Sequence, residues 1–332
     1  MAIVIFRFDR AELEAALKAA VGRGISVSAL IAYANRGGEK SLRKLEMRLL
    51  GAGVTVSRTA DDLVRYHDKM MIVDGRVLYA LSFNFTHLDI DHSRGFGIVT
   101  RKTALVQEAL KLFSADVDRK PYEPGSNDFV VSPVNARKRL SSLIASARKE
   151  LLIYDPKIAD PAILRALSNR VEKGVKIKVI GAVGRKSHFL EVRPLGGLRL
   201  HTRTIIRDRC EAFVGSQSLR VAELDSRREV GVIVREKKAV GVLVQTFEAD
   251  WVRKQGAVDE QVATRATKKR LKAIVQKLST LNPLVKEAVS EVVSKAEGKP
   301  LDSSTMKETV EKAVKEAVRE RVAEMLTETE ET

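Results

Sequence analysis

His67, Lys69, Ser82 and Asn84 are the side chains whose types and spacing suit a reaction. His67 and Lys69 stand two apart on an apolar run that reads as a strand, so both leave the same face. Asp74-Gly75 is a hairpin signal, and the returning strand, 76–84, carries Ser82 and Asn84, again two apart on one face. An imidazole, an ammonium, a hydroxyl and an amide then converge. That set fits a phosphate, with cations and neutral donors around the oxygens and an imidazole to attack phosphorus or protonate a leaving group. It does not fit a metal, because the cation beside the imidazole would repel a dication, and no cofactor is expected.

The unit occurs twice. Displaced by 134 positions, residues 67–117 fall on 201–251 without a gap, with 12 of 51 positions identical. His67 meets His201, Asp74 meets Asp208, Ser82 meets Ser216, Arg94 meets Arg228 and Gly97 meets Gly231, while Lys69 meets another cation, Arg203. Drift would spare apolar core positions first, so a repeat that keeps polar residues in register is a duplicated functional unit.

At these residues the chain resembles the phospholipase D superfamily, whose pattern is H-x-K-x4-D followed by G-S-x-N and a later Glu, present twice. The first half matches at His67, Lys69, Asp74, Ser82 and Asn84, the second at His201, Arg203, Asp208, Gly215, Ser216 and Glu229. The resemblance covers residues 1 to about 255 and implies metal-free cleavage or exchange of phosphodiesters. In that scheme one His forms a covalent phosphohistidine, and the other protonates the leaving alkoxide and then activates water or an acceptor alcohol. His67, Lys69, His201 and Arg203 would carry the chemistry with Asp74 and Asp208 completing the two motifs. Ser82, Asn84, Ser216 and Glu229 would support the phosphate. By strand parity Asp74 and Asp208 face away from the pocket, in a positioning role.

The sequence departs from the pattern in four places: Arg203 for Lys, Ser218 where the first half has Asn84, Leu81 for Gly, and Gly95 opposite Glu229. Arg203 keeps the charge, but its planar fork is not equivalent to an ammonium. With Gly95 in the first half, Glu229 is expected to hold His201, which makes His201 the expected nucleophile and His67 the acid. His87, Asp89, Asp91 and His92 form a short window of potential ligands that reads as turn and surface, and His188 reads as a loop residue.

The elements that must position these groups follow a strand–helix–strand order, over 2–8, 10–22 and 25–32, and again over 150–182, with Gly24 and Gly174 as matching stops. The expected fold is α/β: two phospholipase D-like lobes related by a pseudo-two-fold, each a mixed, mainly parallel sheet flanked by helices, plus an α-helical C-terminal tail. The lobes span 1–113 and 128–255, joined by a linker over 114–127, and the tail spans 256–332. Residues 128–149 read as a strand and a basic helix with no counterpart in the first half, so an N-terminal strand and helix are expected to be missing there, leaving an exposed sheet edge. The first half carries instead an insert, Asn35 to Ala60, with a basic solvated helix over 38–50. Helices over 102–113 and 236–247 end at matched core residues Phe113 and Phe247.

The chain has 332 residues and a net charge of +16. From residue 256 onward 14 basic residues balance 14 acidic ones, so the whole surplus lies in the duplicated part. Such a surplus implies an anionic partner: phospholipid or another phosphodiester, nucleic acid, or an anionic membrane touched peripherally. With aromatics at 5% there are few stacking platforms for single strands, which favours lipid over a nuclease of the same fold. The four departures also leave open a catalytically impaired binding protein for anionic polymers or membranes. A single cysteine, Cys210, excludes an internal disulfide and fits a reducing compartment. With no run of membrane-spanning length, the expected location is the cytoplasm, peripheral to the membrane. Three amphipathic helices over about 258–281, 284–297 and 304–327 are expected in the tail, suited to packing on the body or to self-association.

Overall fold

A computed structural model describes residues 1–34, 39–184 and 189–253. The chain divides into two units, Met1–Gln255 and Gly256–Thr332. The expected tail helices and His188 lie outside the described residues. Both lobes lie within the first unit.

The first lobe runs β1 (Ala2–Ile5), α1 (Ala11–Gly22), β2 (Ser28–Ile31), α2 (Glu39–Leu50), β3 (Thr55–Arg58), β4 (Arg65–Tyr66), β5 (Met70–Val73), β6 (Val77–Leu81), α3 (His87–Asp91), β7 (Ser93–Arg94), β8 (Gly97–Thr100) and α4 (Thr103–Asp118). The second runs β9 (Phe129–Ser132), α5 (Ala136–Ala145), β10 (Glu150–Ile158), α6 (Pro161–Glu172), β11 (Lys176–Val183), β12 (Glu191–Arg193), β13 (Arg199–Leu200), β14 (Arg203–Arg207), β15 (Glu211–Gly215), α7 (Val221–Asp225), β16 (Arg227–Val234) and α8 (Lys237–Val252).

The two sheets repeat one order, β3-β2-β1-β5-β6-β8 and β12-β11-β10-β14-β15-β16. They are mixed, as expected, but not mainly parallel. Within these runs only β1, β2 and β3, and β10, β11 and β12, pair in parallel, while the motif hairpins and the strands that follow them add three antiparallel pairs to each; β4 extends the second sheet beyond β16. β1 is buried at every position of Ala-Ile-Val-Ile, as a strand covered on both faces must be. Its alternate residues enter different cores. Val4 joins an apolar cluster shared by the lobes, with Leu112, Phe113, Tyr154 and Phe247. Ile3 and Ile5 pack outward under Leu17 of α1 and Leu42, Leu45 and Leu49 of α2. The insert helix is therefore half core and half solvated. Arg48 on its exposed side pairs with Glu14 at 2.8 Å.

The expected asymmetry at the sheet edge is present. β9 pairs antiparallel with β16, whereas among the described residues no strand flanks β8 on that side, and Val99 is exposed there. Helices α4 and α8 outrun their expected ends. The added turns carry Asp116 and Asp250, both buried.

The lobes exchange strands reciprocally. β4, which leads into His67, pairs parallel with the start of β16, Arg65 on Arg227 and Tyr66 on Arg228. β13, which leads into His201, pairs parallel with β7, Arg199 on Ser93 and Leu200 on Arg94. Each histidine is thus delivered on backbone held by the other lobe.

Candidate active site

The exchange fixes both histidines through their main chain. His67 N–H donates to the Arg228 carbonyl at 2.8 Å, and His201 N–H to the Arg94 carbonyl at 3.1 Å. Those two arginines are clamped in turn. Arg94 binds Asp250 with Nε and Nη2 at 2.7 and 2.8 Å, and Arg228 reaches Asp116 at 3.0 Å while its guanidinium lies over the Tyr66 ring. Both pairs cross between lobes. Both aspartates are buried, and Arg228 with them, so each pair is costly to break from one side and helps fix the relative placement of the motifs.

His67 Nδ1 lies 2.9 Å from Glu229 Oε2 and 3.0 Å from Oε1. The expectation that Glu229 serves His201 is therefore wrong: the strand exchange carries it across to His67. A carboxylate only accepts, so Nδ1 carries the proton and Nε2 keeps the lone pair. Burial holds the ring well below its usual pKa, and Lys69, Arg203, Arg65 and Arg227 add to that, so the neutral form of His67 is favoured. Phe6 packs edge-on against it, with ring centroids 4.5 Å apart.

His201 is held differently. Its Nδ1 donates to the main-chain carbonyl of Ser82 at 2.9 Å, and its Nε2 lies 3.5 Å from Asp89 Oδ2. Asp89 is buried and not a surface residue, correcting the reading of its window. Its Oδ2 accepts from Asn84 N and Nδ2 at 2.8 and 2.6 Å, and its Oδ1 from Arg199 Nη1 at 2.6 Å. Burial pushes His201 down to about 2, with Asp89 opposing and Arg203, Arg199 and Lys69 adding to the fall. Lys69 is thus among the cations that depress His201, and Arg203 among those that depress His67, so each lobe's cation acts on the other lobe's histidine.

Comparison with known proteins bears on the family and the fold. The sequence profile described as cardiolipin synthase, PLD-like domain, matches residues 1–117 and 140–251. The chain belongs to this phospholipase D-like family. Among solved structures, polyphosphate kinase from Porphyromonas gingivalis is similar at a TM-score of 0.60 and 19% identity, over 74% of this chain and 42% of that one. Phosphatidylserine synthase from Haemophilus influenzae Rd KW20 is similar at 0.57 and 10% identity, over 76% and 80%. At these identities both show the fold alone. The chain spans less than half the length of the polyphosphate kinase. No curated protein matches by sequence.

The remaining phospholipase D-like motif residues divide by location. Lys69 Nζ and Arg203 Nη1 each fold back onto the carbonyl of the histidine two residues before, His67 and His201. Burial lowers both cations, Lys69 to about 7, and pushes Glu229 up to about 7 against Lys69 and the Ser216 hydroxyl. Ser82 and Ser216 accept the N–H of Phe96 and Val230 at 2.9 and 3.2 Å, tying each motif hairpin to the following strand. Asn84 and Ser218 are matched in sequence but held by different acids, Asp89 and Asp155. Asp74 and Asp208 sit at the far ends of β5 and β14 with φ of 53° and 49°. Asp208 accepts from Arg148, Lys149 and Glu150 N–H, which ties the second hairpin to the start of β10. Among the described residues no group of three His, Cys, Asp or Glu is disposed to hold a metal.

Sequence reasoning missed Asp89, Asp155 and the Arg–Asp clamps. The repeat contained a signal for most of these: Asp89 falls on Glu223, and Asp116 on Asp250.

Proposed function

We propose that the protein is a metal-independent phosphodiesterase or phosphatidyltransferase that works through a phosphohistidine on His67, with a phospholipid-type diester as substrate. The observation that carries this is the His67–Glu229 pair, which fixes one tautomer and leaves Nε2 free to attack. Nε2 bonds to phosphorus as the bond to the leaving oxygen breaks, and that oxygen takes a proton from His201. In the second step neutral His201 takes a proton from water or an acceptor alcohol, whose oxygen bonds to phosphorus as the P–N bond breaks. Lys69, Arg203 and Asn84 offset charge on the nonbridging oxygens.

Two observations favour a lipid. His67 and His201 keep only 8% and 6% of their surface exposed, little room for a bulky polymer around the scissile bond. Leu88 and Ile90 flank Asp89 on α3 and are exposed, as are Val221 at the start of α7 and Val64, whose N–H donates to Ser226 at the end of α7. Apolar side chains beside a basic site suit peripheral contact with an anionic bilayer. Among the described residues no helix is long and apolar enough to cross a membrane. The intact nucleophile argues against a merely binding role.

The test is acid quenching of the protein with a diester labelled on phosphorus, in chelator, followed by peptide mapping. The label should sit on His67 and be absent from His67→Ala. Turnover with phosphatidyl diesters but not single-stranded oligonucleotides supports the lipid assignment, and the reverse makes it a nuclease. Label on His201, or none with any diester, would sink the scheme.

A further inference from the structure

Both ring nitrogens of His201 face groups that only accept hydrogen bonds. Nδ1 meets the Ser82 carbonyl, which demands a proton there, and Nε2 meets the Asp89 carboxyl at 3.5 Å. A neutral ring with its proton on Nδ1 would point a lone pair at a carboxylate oxygen. A proton on Nε2 would turn that contact into a charge-assisted pair. The carboxyl does not supply it. Oδ2 already takes two N–H donors from Asn84 and Oδ1 takes Arg199, and although burial opposes it, His201, Asn84 and Arg199 keep this carboxyl below its usual range.

We infer that Asp89 is the positioning residue that keeps the transferable proton on His201 Nε2, making His201 the dedicated acid for the leaving oxygen. Asp89 from α3 lies against the ring, while Arg203 from β14, Arg199 from β13 and Lys69 ahead of β5 act on it as cations. The three cations resist a fourth positive charge in the resting protein. A phosphodiester anion set among Lys69 and Arg203 cancels that resistance and leaves Asp89 in place, so the ring is loaded as substrate binds. When the P–O bond breaks, the leaving oxygen keeps the bonding pair and takes the Nε2 proton. Asp89 itself changes no bond.

The inference rests on the phosphohistidine reading but is separable from it by experiment. Turnover of a p-nitrophenyl diester needs no acid, whereas that of an alkyl diester does. In Asp89→Asn the ratio of p-nitrophenyl to alkyl turnover should rise by about 10-fold or more, and Asp89→Glu should restore part of the difference. An independent readout is imidazole ¹⁵N NMR with saturating inorganic phosphate at pH 7, tractable with five histidines. His201 should carry protons on both nitrogens in the wild type and on Nδ1 alone in Asp89→Asn. An unchanged ratio, or a bare Nε2 in the phosphate-treated wild type, overturns the role of Asp89. Failure of the wild type to turn over either diester sinks the proposed function instead, and the NMR comparison still decides the inference.

Discussion

The two histidines stand on matched backbone and are held by unlike partners. His67 has a carboxylate on Nδ1, and His201 has a carbonyl on Nδ1 and a carboxylate beyond Nε2. The origin lies one layer back. Where the second half has Gln217 and Glu229, the first has Phe83 and Gly95, and a Cβ on Gly95 would stand 2.8 Å from Phe83 Cδ1. Phe83 fills the space a reciprocal glutamate would need, so the pseudo-two-fold is kept in the scaffold and broken in the groups that hold the imidazoles. A displacement at phosphorus needs one base-like ring and one acid-like ring, and two identical ones would serve it poorly.

The comparison is broken most severely at the rings themselves. His67→Ala should abolish covalent capture of phosphorus with every diester. His201→Ala should slow an alkyl diester by about 10²–10⁴-fold, the usual worth of a general acid, yet still form the adduct from a p-nitrophenyl diester. Quench-flow on both variants with both substrates checks the pair, and equal losses would mean that the rings are not specialised.

Glu229→Gln tests the partner in place of the ring. It should cost on the order of 10²–10⁴-fold in kcat, the upper end applying where the amide turns its NH2 toward Nδ1 and forces the wrong tautomer. Because burial pushes Glu229 up to about 7, it loses its charge as pH falls through that value. The wild-type rate should therefore decline on the acid side of about pH 7, and that limb should flatten in Glu229→Gln.

How much of this was legible in the sequence follows from what each feature depends on. Periodicity and turn chemistry are local, so the strands, the helices, the hairpin at Asp74-Gly75 and the motif residues could be read directly. Glu229 was recognised, but its partner was assigned within its own lobe, because a linear pattern does not reveal that β4 and β13 cross over. Asp89 was discounted because two acids in a short polar window usually face water. Its burial depends on Arg199 and His201, 110 and 112 positions away. The helix ends at Asp116 and Asp250 were missed because these acids close apolar helices and become useful only when paired with Arg228 and Arg94 of the opposite lobe.

A smaller difference separates the residues that follow the two histidines. Asp68 is buried, and neither carboxyl oxygen accepts a hydrogen bond from another described residue; its counterpart Thr202 donates or accepts with Thr204 at 2.9 Å. Burial raises Asp68 to about 6, and neighbouring Asp116 to about 7. A carboxyl raised in the folded state favours folding at low pH, and that contribution is lost as pH rises from its unfolded value through about 6. Asp68→Asn should therefore stabilise the protein at pH 8 by up to about 3 kcal/mol, with the gain gone near pH 4. Denaturant melts at both pH values read this. A pH-independent difference would mean that Asp68 is ionised and well satisfied.

The smallest contrast lies in the hairpin turns at the far ends of β5 and β14. The first uses Asp74 and Gly75, with φ of 53° and 60°, and the second Asp208 and Arg209, with φ of 49° and 55°. Both turns need the left-handed region at both central residues, which glycine enters freely and arginine does not. Arg209 also pairs with Glu150 and Glu248, but it is exposed, so those pairs contribute little. Arg209→Ala removes the ion pairs and keeps the strained backbone, and Arg209→Gly removes both. The glycine variant should be more stable than the alanine variant by about 1 kcal/mol. The two should be equal if the second turn relaxes out of the left-handed region in solution, and the hairpins would then differ in backbone as well as in sequence.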